Sequence, residues 1–164
     1  MARGTEPNNA ADGKMSFDYP RKVRFKCLLC GICCGDTKTK TRHILLTEQE
    51  ANLIGAETNQ PIAAFAHEAK DKTIYRYEMR KTVNTGKCFF LKENRCIIYS
   101  RRPLICRFYP FGLETDEDER KVFYFTNECP GINKGKKLTK TDFEAMLKKA
   151  ARRLNKNSKN ELQA

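Results

Sequence analysis

The sequence predicts a small mixed α+β domain of short antiparallel strands and a few helices, with an amphipathic helix at its C-terminus. Three observations predict it. The chain has 164 residues, enough to bury one core but too few for two linked domains. Apolar residues make up 40% and charged residues 32%. That is slightly apolar-poor, but the abundance of Phe, Tyr, Ile and Leu marks a chain that folds. Short stretches of period-two alternation are interleaved with stretches of helical period.

Each element has a local reason. Residues 1–21, with Gly4, Pro7, Asn8, Asn9, Gly13 and Pro20, read as a flexible N-terminal arm. Val23 and Phe25 alternate with Arg24 and Lys26 as a short strand, and His43–Leu46 is a second. Thr47 followed by Glu50 has the form of a capping box, opening a helix through about Ile54. Pro61 suits a first helical turn, and Ile62, Phe65 and Ala69 carry that helix onward. From Thr73 to Val83 the period becomes two, with Tyr75, Tyr77 and Met79 on one side.

Phe89–Leu91 and Ile97–Tyr99 read as a hairpin joined by Lys92-Glu93-Asn94-Arg95, with Cys88 and Cys96 near its base. Phe111–Leu113 and Val122–Phe125 are strands joined through the acidic run Asp116-Glu117-Asp118-Glu119. That run reads as a solvated turn, with weak binding of a hard cation as the alternative. Phe143, Met146, Leu147, Ala150 and Leu154 recur at helical spacing, with Thr139 as cap and Leu138 stapled to Phe143. Asn155–Ala164 read as frayed.

No run approaches the roughly 18 consecutive apolar residues of a membrane span. The opening Met1-Ala2-Arg3-Gly4-Thr5-Glu6 lacks the apolar stretch of a signal peptide, so the expectation is a cytoplasmic protein. The net charge of +12 invites a nucleic-acid reading. Its distribution argues otherwise: residues 1–26 carry +3, 27–132 carry +2 and 133–164 carry +7. The excess belongs to an appendage, where Lys148, Lys149, Arg152 and Arg153 complement the helix dipole. Nucleic acid is therefore a partner the tail permits without favouring; a protein partner is the other.

Chemistry concentrates in eight cysteines, against two histidines. In a reducing compartment they are metal ligands before they are disulfides. Cys27, Cys30, Cys33 and Cys34 form the run CxxCxxCC, with Gly31 and Gly35 supplying the permissive backbone of a metal knuckle. Cys88, Cys96, Cys106 and Cys129 are dispersed. Eight divides into two four-thiolate sites, each of net charge near −2 with zinc or an oxidised four-iron cluster, which the flanking Arg95, Arg101, Arg102 and Arg107 would help to hold. A domain this small with eight thiols should depend on its metal to fold. His43 and His67 read as ordinary packed or exposed residues, and the strand aromatics as core. There is no phosphate-binding glycine loop and no nucleophile elbow.

The CxxCxxCC run, followed by Cys88-Phe-Phe-Leu, Cys96-Ile-Ile-Tyr99-Ser-Arg-Arg102-Pro103-Leu-Ile-Cys106-Arg107-Phe-Tyr-Pro110 and Cys129-Pro-Gly-Ile, resembles the CxxCxxCC family of YkgJ-like cysteine cluster proteins. The resemblance covers residues 22–132 and implies a zinc- or iron-chelating domain with these eight cysteines as its ligands. Residues 133–164, the basic helix and tail, lie outside it. Flagellin lysine N-methylases resemble the same family, so the resemblance also allows an iron–sulfur-dependent protein-modifying enzyme. A zinc-stabilised nucleic-acid binder is the remaining alternative.

All-sulfur ligation suits structural zinc and iron–sulfur clusters alike. Cys27, Cys30 and Cys33 with the remote Cys129-Pro130 parallel the way bacterial ferredoxins hold a four-iron cluster, leaving Cys34, Cys88, Cys96 and Cys106 as a second set. Bridging of two metals by the adjacent Cys33 and Cys34 in one larger cluster is the alternative division.

Overall fold

The computed structural model describes residues 16–70 and 74–160, with the side chains of 155–160 left aside. The expectations of a loose segment over 1–15 and of fraying over 161–164, and the start of the predicted strand at 73, lie outside the described residues; over 155–160, also read as frayed, the backbone instead continues the last helix. In order, the chain forms β1 (Phe17–Asp18), β2 (Arg24–Phe25), β3 (Leu45–Leu46), α1 (Glu48–Thr58), α2 (Ile62–Phe65), β4 (Ala66–Glu68), β5 (Tyr77–Met79), β6 (Leu91–Lys92) and β7 (Arg95–Cys96). There follow α3 (Leu104–Phe108), β8 (Phe111–Thr115), β9 (Lys121–Phe125), β10 (Lys136–Lys137) and α4 (Lys140–Asn160). The class is mixed α+β. No helix among the described residues is long and apolar enough to cross a membrane.

The strands form four small sheets, ordered β1-β9-β8, β10-β2, β3-β5-β4 and β6-β7. Two apolar clusters divide the interior. The first gathers Ile44, Leu46, Ile54, Phe65, Met79, Phe90 and Ile98 beneath the β3-β5-β4 sheet and α1. The second gathers Val23, Phe111, Phe123, Ile132, Leu138, Phe143 and Leu147 between the β1-β9-β8 sheet and α4.

The capping box forms as the sequence predicts. Glu50 N–H donates to Thr47 Oγ1 at 3.2 Å, and Thr47 N–H donates to Glu50 Oε2 at 3.1 Å. The helix runs past Ile54 to Thr58 and stops where Asn59 turns left-handed at φ 52°. Leu138 and Phe143 share the second cluster, and Thr139 N–H and Oγ1 both donate to Asp142 Oδ2, at 2.8 and 2.9 Å, so the carboxylate in the first turn of α4 holds Thr139 and not the reverse.

Several elements differ from the reading of the sequence. The helix after Pro61 does not reach Ala69: it closes at Phe65, and the chain turns into β4, which pairs antiparallel with β5 in the register Ala66↔Met79 and Glu68↔Tyr77. Ladder hydrogen bonds to β5 outweigh a weak helical period. His67 thus stands exposed on a strand. In the hairpin, pairing is confined to Leu91↔Cys96 and Lys92↔Arg95, with Glu93 and Asn94 at φ 47° and 61° forming the tight connection. Phe17 and Asp18, read as part of the arm, pair in parallel with Lys121 and Val122. The acidic run is a self-satisfied turn: the Asp116 carboxylate accepts from Asp118 N–H, Arg120 N–H and Arg120 Nε.

Candidate metal centre

All eight cysteines line one cavity of about 100 Å³ between the two apolar clusters. Each arrives by a different local device. Gly31, left-handed at φ 73°, lets the chain turn into a single 3-10 turn, Ile32–Cys34, which folds the CxxCxxCC run back on itself. Cys34 N–H donates to Gly31 O at 3.0 Å. Gly35 is needed for close approach, since a Cβ there would lie 2.7 Å from Gly86 O. Cys88 N–H donates to Cys34 O, stapling the second cysteine block to the first. Cys96 sits on β7 and Cys106 on α3. Cys129 reaches the knuckle because Lys26 N–H donates to Gly131 O at 3.1 Å, laying the 129–132 turn along β2.

The clusters divide these residues. Cys34, Cys88, Cys96 and Cys106 pack with the first, Cys129 with the second. Cys27 and Cys30 are exposed at the mouth, beside the exposed Leu28, Leu29 and Tyr99. Electrostatic neighbours follow the same division. Cys106 feels Cys88, Cys33 and Cys96, whereas Cys129 feels Cys30, Cys33 and Cys27, so Cys33 stands between the two groups.

Backbone donors face the sulfurs, as a thiolate ligand requires. Cys88 accepts from Phe90 and Leu91, Cys96 from Ile98, and Cys129 from Gly131. Cys33 and Cys34 Sγ lie 3.9 Å apart. The Cys34 thiol holds a proton between two neighbours, which raises its own pKa. The Cys33 pKa is lowered to about 7, chiefly by that thiol and with help from Arg42. The Cys96 pKa is lowered to about 6 by Cys34, Ile98 N–H and Arg102. Burial pushes Cys88 up to about 11 and Cys106 well above its ordinary value. Of the eight, Cys33, Cys34 and Cys96 are joined thiol to thiol, and among the described residues no three His, Cys, Asp or Glu side chains form a group tight enough to hold an ion.

Cations surround the chamber. Of the four arginines the sequence singles out, Arg102 and Arg107 line it, Arg101 instead pairs with Glu57 at 2.7 Å, and Arg95 is exposed outside the lining. Arg102 lies 3.8 Å from the centroid of the Tyr99 ring, and its Nε is buried without an acceptor among the described residues. Arg42 is the residue the sequence reading missed. It sits in a Lys/Thr-rich stretch with no motif to mark it, yet its guanidinium lies 4.8 Å from the centroid of the Tyr109 ring and favours the Cys33 thiolate. Sulfur-only donors, backbone N–H groups aimed at them and the Arg102 and Arg107 side chains in the lining fit a dianionic thiolate-bound metal. Neither histidine joins the chamber: His43 pairs with Glu78 at 2.7 Å, and His67 Nδ1 lies 3.0 Å from Glu68 O.

The uncharacterized protein MJ0661 of Methanocaldococcus jannaschii is 29% identical over an alignment 137 positions long that covers 74% of this chain and 66% of that relative, so the chain spans slightly less than two thirds of its length. No solved structure matches. A family model described as "CxxCxxCC: Putative zinc- or iron-chelating domain" matches residues 26–130. With every cysteine-bearing block inside that span, the chain belongs to the CxxCxxCC family.

Proposed function

We propose that residues 22–132 bind metal through all eight cysteines, as zinc or an iron–sulfur centre, and that the bound metal joins the two halves of the domain. One observation carries this reading: eight cysteines from five separate stretches of chain line a single cavity. The division that best fits the packing sets Cys27, Cys30, Cys33 and Cys129 against Cys34, Cys88, Cys96 and Cys106. Zinc in such a site would be structural, whereas an iron–sulfur cluster would add redox chemistry. Arg42, acting on Cys33, and Arg102, acting on Cys96, would offset the negative charge.

The test is elemental analysis, labile sulfide and visible absorption of protein purified without oxygen. Colourless protein with about two zinc ions, or brown protein with iron and sulfide, is the expected outcome. Serine at Cys96 should remove about half of the metal, as should serine at Cys27, if the division holds. Metal-free protein with an unchanged melting temperature would overturn the reading.

A further inference from the structure

We propose that Lys149 and Arg153 of α4, together with Arg102 and Arg107 at the two ends of α3, form a phosphate-binding face for single-stranded nucleic acid that ends on the Tyr99 ring.

In the sequence the basic excess lies in residues 133–164, apart from the cysteine-bearing body. The fold removes that separation. Helix α3 packs against α4, and Glu50 ties the two by accepting from Leu104 N–H at 2.7 Å and from Arg153 Nη1 at 3.1 Å. Lys149 and Arg153, one helical turn apart on α4, thereby come up beside Arg102 and Arg107. Partial desolvation, and then the charges of Arg107, Arg153 and Arg102, hold the Lys149 pKa below the usual lysine value.

The carboxylate set against these four cations is Glu50, which is 3% exposed and already accepts from Thr47, Leu104 and Arg153. Among the described residues Lys149, Arg102 and Arg107 pair with no carboxylate. Like charges gathered without counter-charge repel one another, and a chain of phosphates would answer them together. Arg107 is held in place for this: Nε donates to Arg102 O at 2.9 Å and Nη2 donates to Ser100 O, which leaves Nη1 for a ligand.

Tyr99 selects nucleic acid over an acidic peptide. Its ring is 41% exposed, and the Arg102 guanidinium lies 3.8 Å from the ring centroid, making a flat platform backed by a cation. Bases stack on such rings, and those of a single strand are free to do so. Tyr99, Arg102 and Arg107 also line the cysteine chamber, so the strand would pass its mouth. Binding requires none of the cysteines.

The experiment is fluorescence anisotropy of the full chain, as purified with its metal, with labelled single-stranded RNA and DNA of about 15 nucleotides. A hairpin duplex of equal charge and polyglutamate serve as competitors. At least one single strand should bind about tenfold or more tighter than either competitor. Four phosphate contacts on a single strand give a slope of about −3 for log affinity against log salt. Lys149→Glu should weaken binding about tenfold and reduce that slope by about 1. Lys134→Glu makes the same charge change on an exposed lysine of the basic segment outside this face, and should alter binding by less than about twofold. Tyr99→Ala should weaken binding about fivefold or more, whereas Tyr99→Phe binds as the parent does. The proposal is overturned if no strand binds, if duplex or polyglutamate binds as tightly, if Lys134→Glu costs as much as Lys149→Glu, or if Tyr99→Ala changes nothing. Metal analysis of the same samples separates the two readings: strand binding by protein that holds no metal sinks the metal reading alone, and metal without strand binding sinks this one alone.

Discussion

Glu50 is 3% exposed, yet every oxygen it presents is used. Oε2 accepts from Thr47 N–H, and Oε1 accepts from Leu104 N–H at 2.7 Å and Arg153 Nη1 at 3.1 Å. One carboxylate therefore fastens the start of α1, the start of α3 and the far half of α4. Replacing Glu50 by Ala leaves two backbone donors and a partly buried guanidinium unpaired, and should cost roughly 3 kcal/mol in urea unfolding. A loss under about 1 kcal/mol would show that water replaces the carboxylate. The capping half of this role is legible in the sequence, because Thr47 and Glu50 are three residues apart. Its partners Leu104 and Arg153 lie 54 and 103 residues away, beyond the reach of any local pattern. Arg42 was hidden for the same reason: what makes it notable is the Tyr109 ring and Cys33, which only the fold brings to it.

Among the elements, the hairpin β6-β7 carries a connection in which both Glu93 and Asn94 have positive φ. Asn followed by Gly is the favoured pair there, so Glu93→Asn with Asn94→Gly should stabilise the protein by about 1 kcal/mol. At the head of α4, the Asp142 carboxylate is held below the usual aspartate range, first by Lys136 at 2.7 Å and then by Thr139 N–H. A pKa lowered on folding gives stability that is complete above the ordinary value near 4 and is lost as pH falls through the lowered one. Asp142→Asn should therefore flatten the acid limb of stability against pH, and cost about 1 kcal/mol at neutral pH. An unchanged acid limb would place that titration elsewhere.

The long helix α4 was legible from its apolar spacing, whereas α3, at five residues, is shorter than two helical turns and shows no period. Strand β1 was missed because two residues cannot display an alternation; its partner Lys121–Phe125 defines it. The helix expected through Ala69 failed because β5 offered β4 a ladder, which the sequence near Pro61 does not announce.

For the whole molecule, the gathering of the cysteines was legible in their number and first spacing, while their division across two apolar clusters was not. That division makes the halves separately testable. Phe143 is fully buried in the second cluster beside Cys129. Phe143→Ala should destabilise by roughly 3–5 kcal/mol. In metal-stripped protein it should also speed alkylation of Cys129 while leaving Cys88 protected, as read by peptide mass spectrometry. Equal acceleration at both would mean the two clusters open as one.

The laying of the 129–132 turn along β2 bears on the unfolded chain as well. A metal ligated from both Cys27 and Cys129 would be a clasp around a loop of about 100 residues, and closing a loop of that length by a covalent cross-link removes on the order of 4.7 kcal/mol of chain entropy. Such a clasp works most strongly on the polymer that has lost its shape: so long as the ion stays bound, an unfolded molecule keeps this stretch closed as a ring, and its route back begins with the two most distant corners already joined.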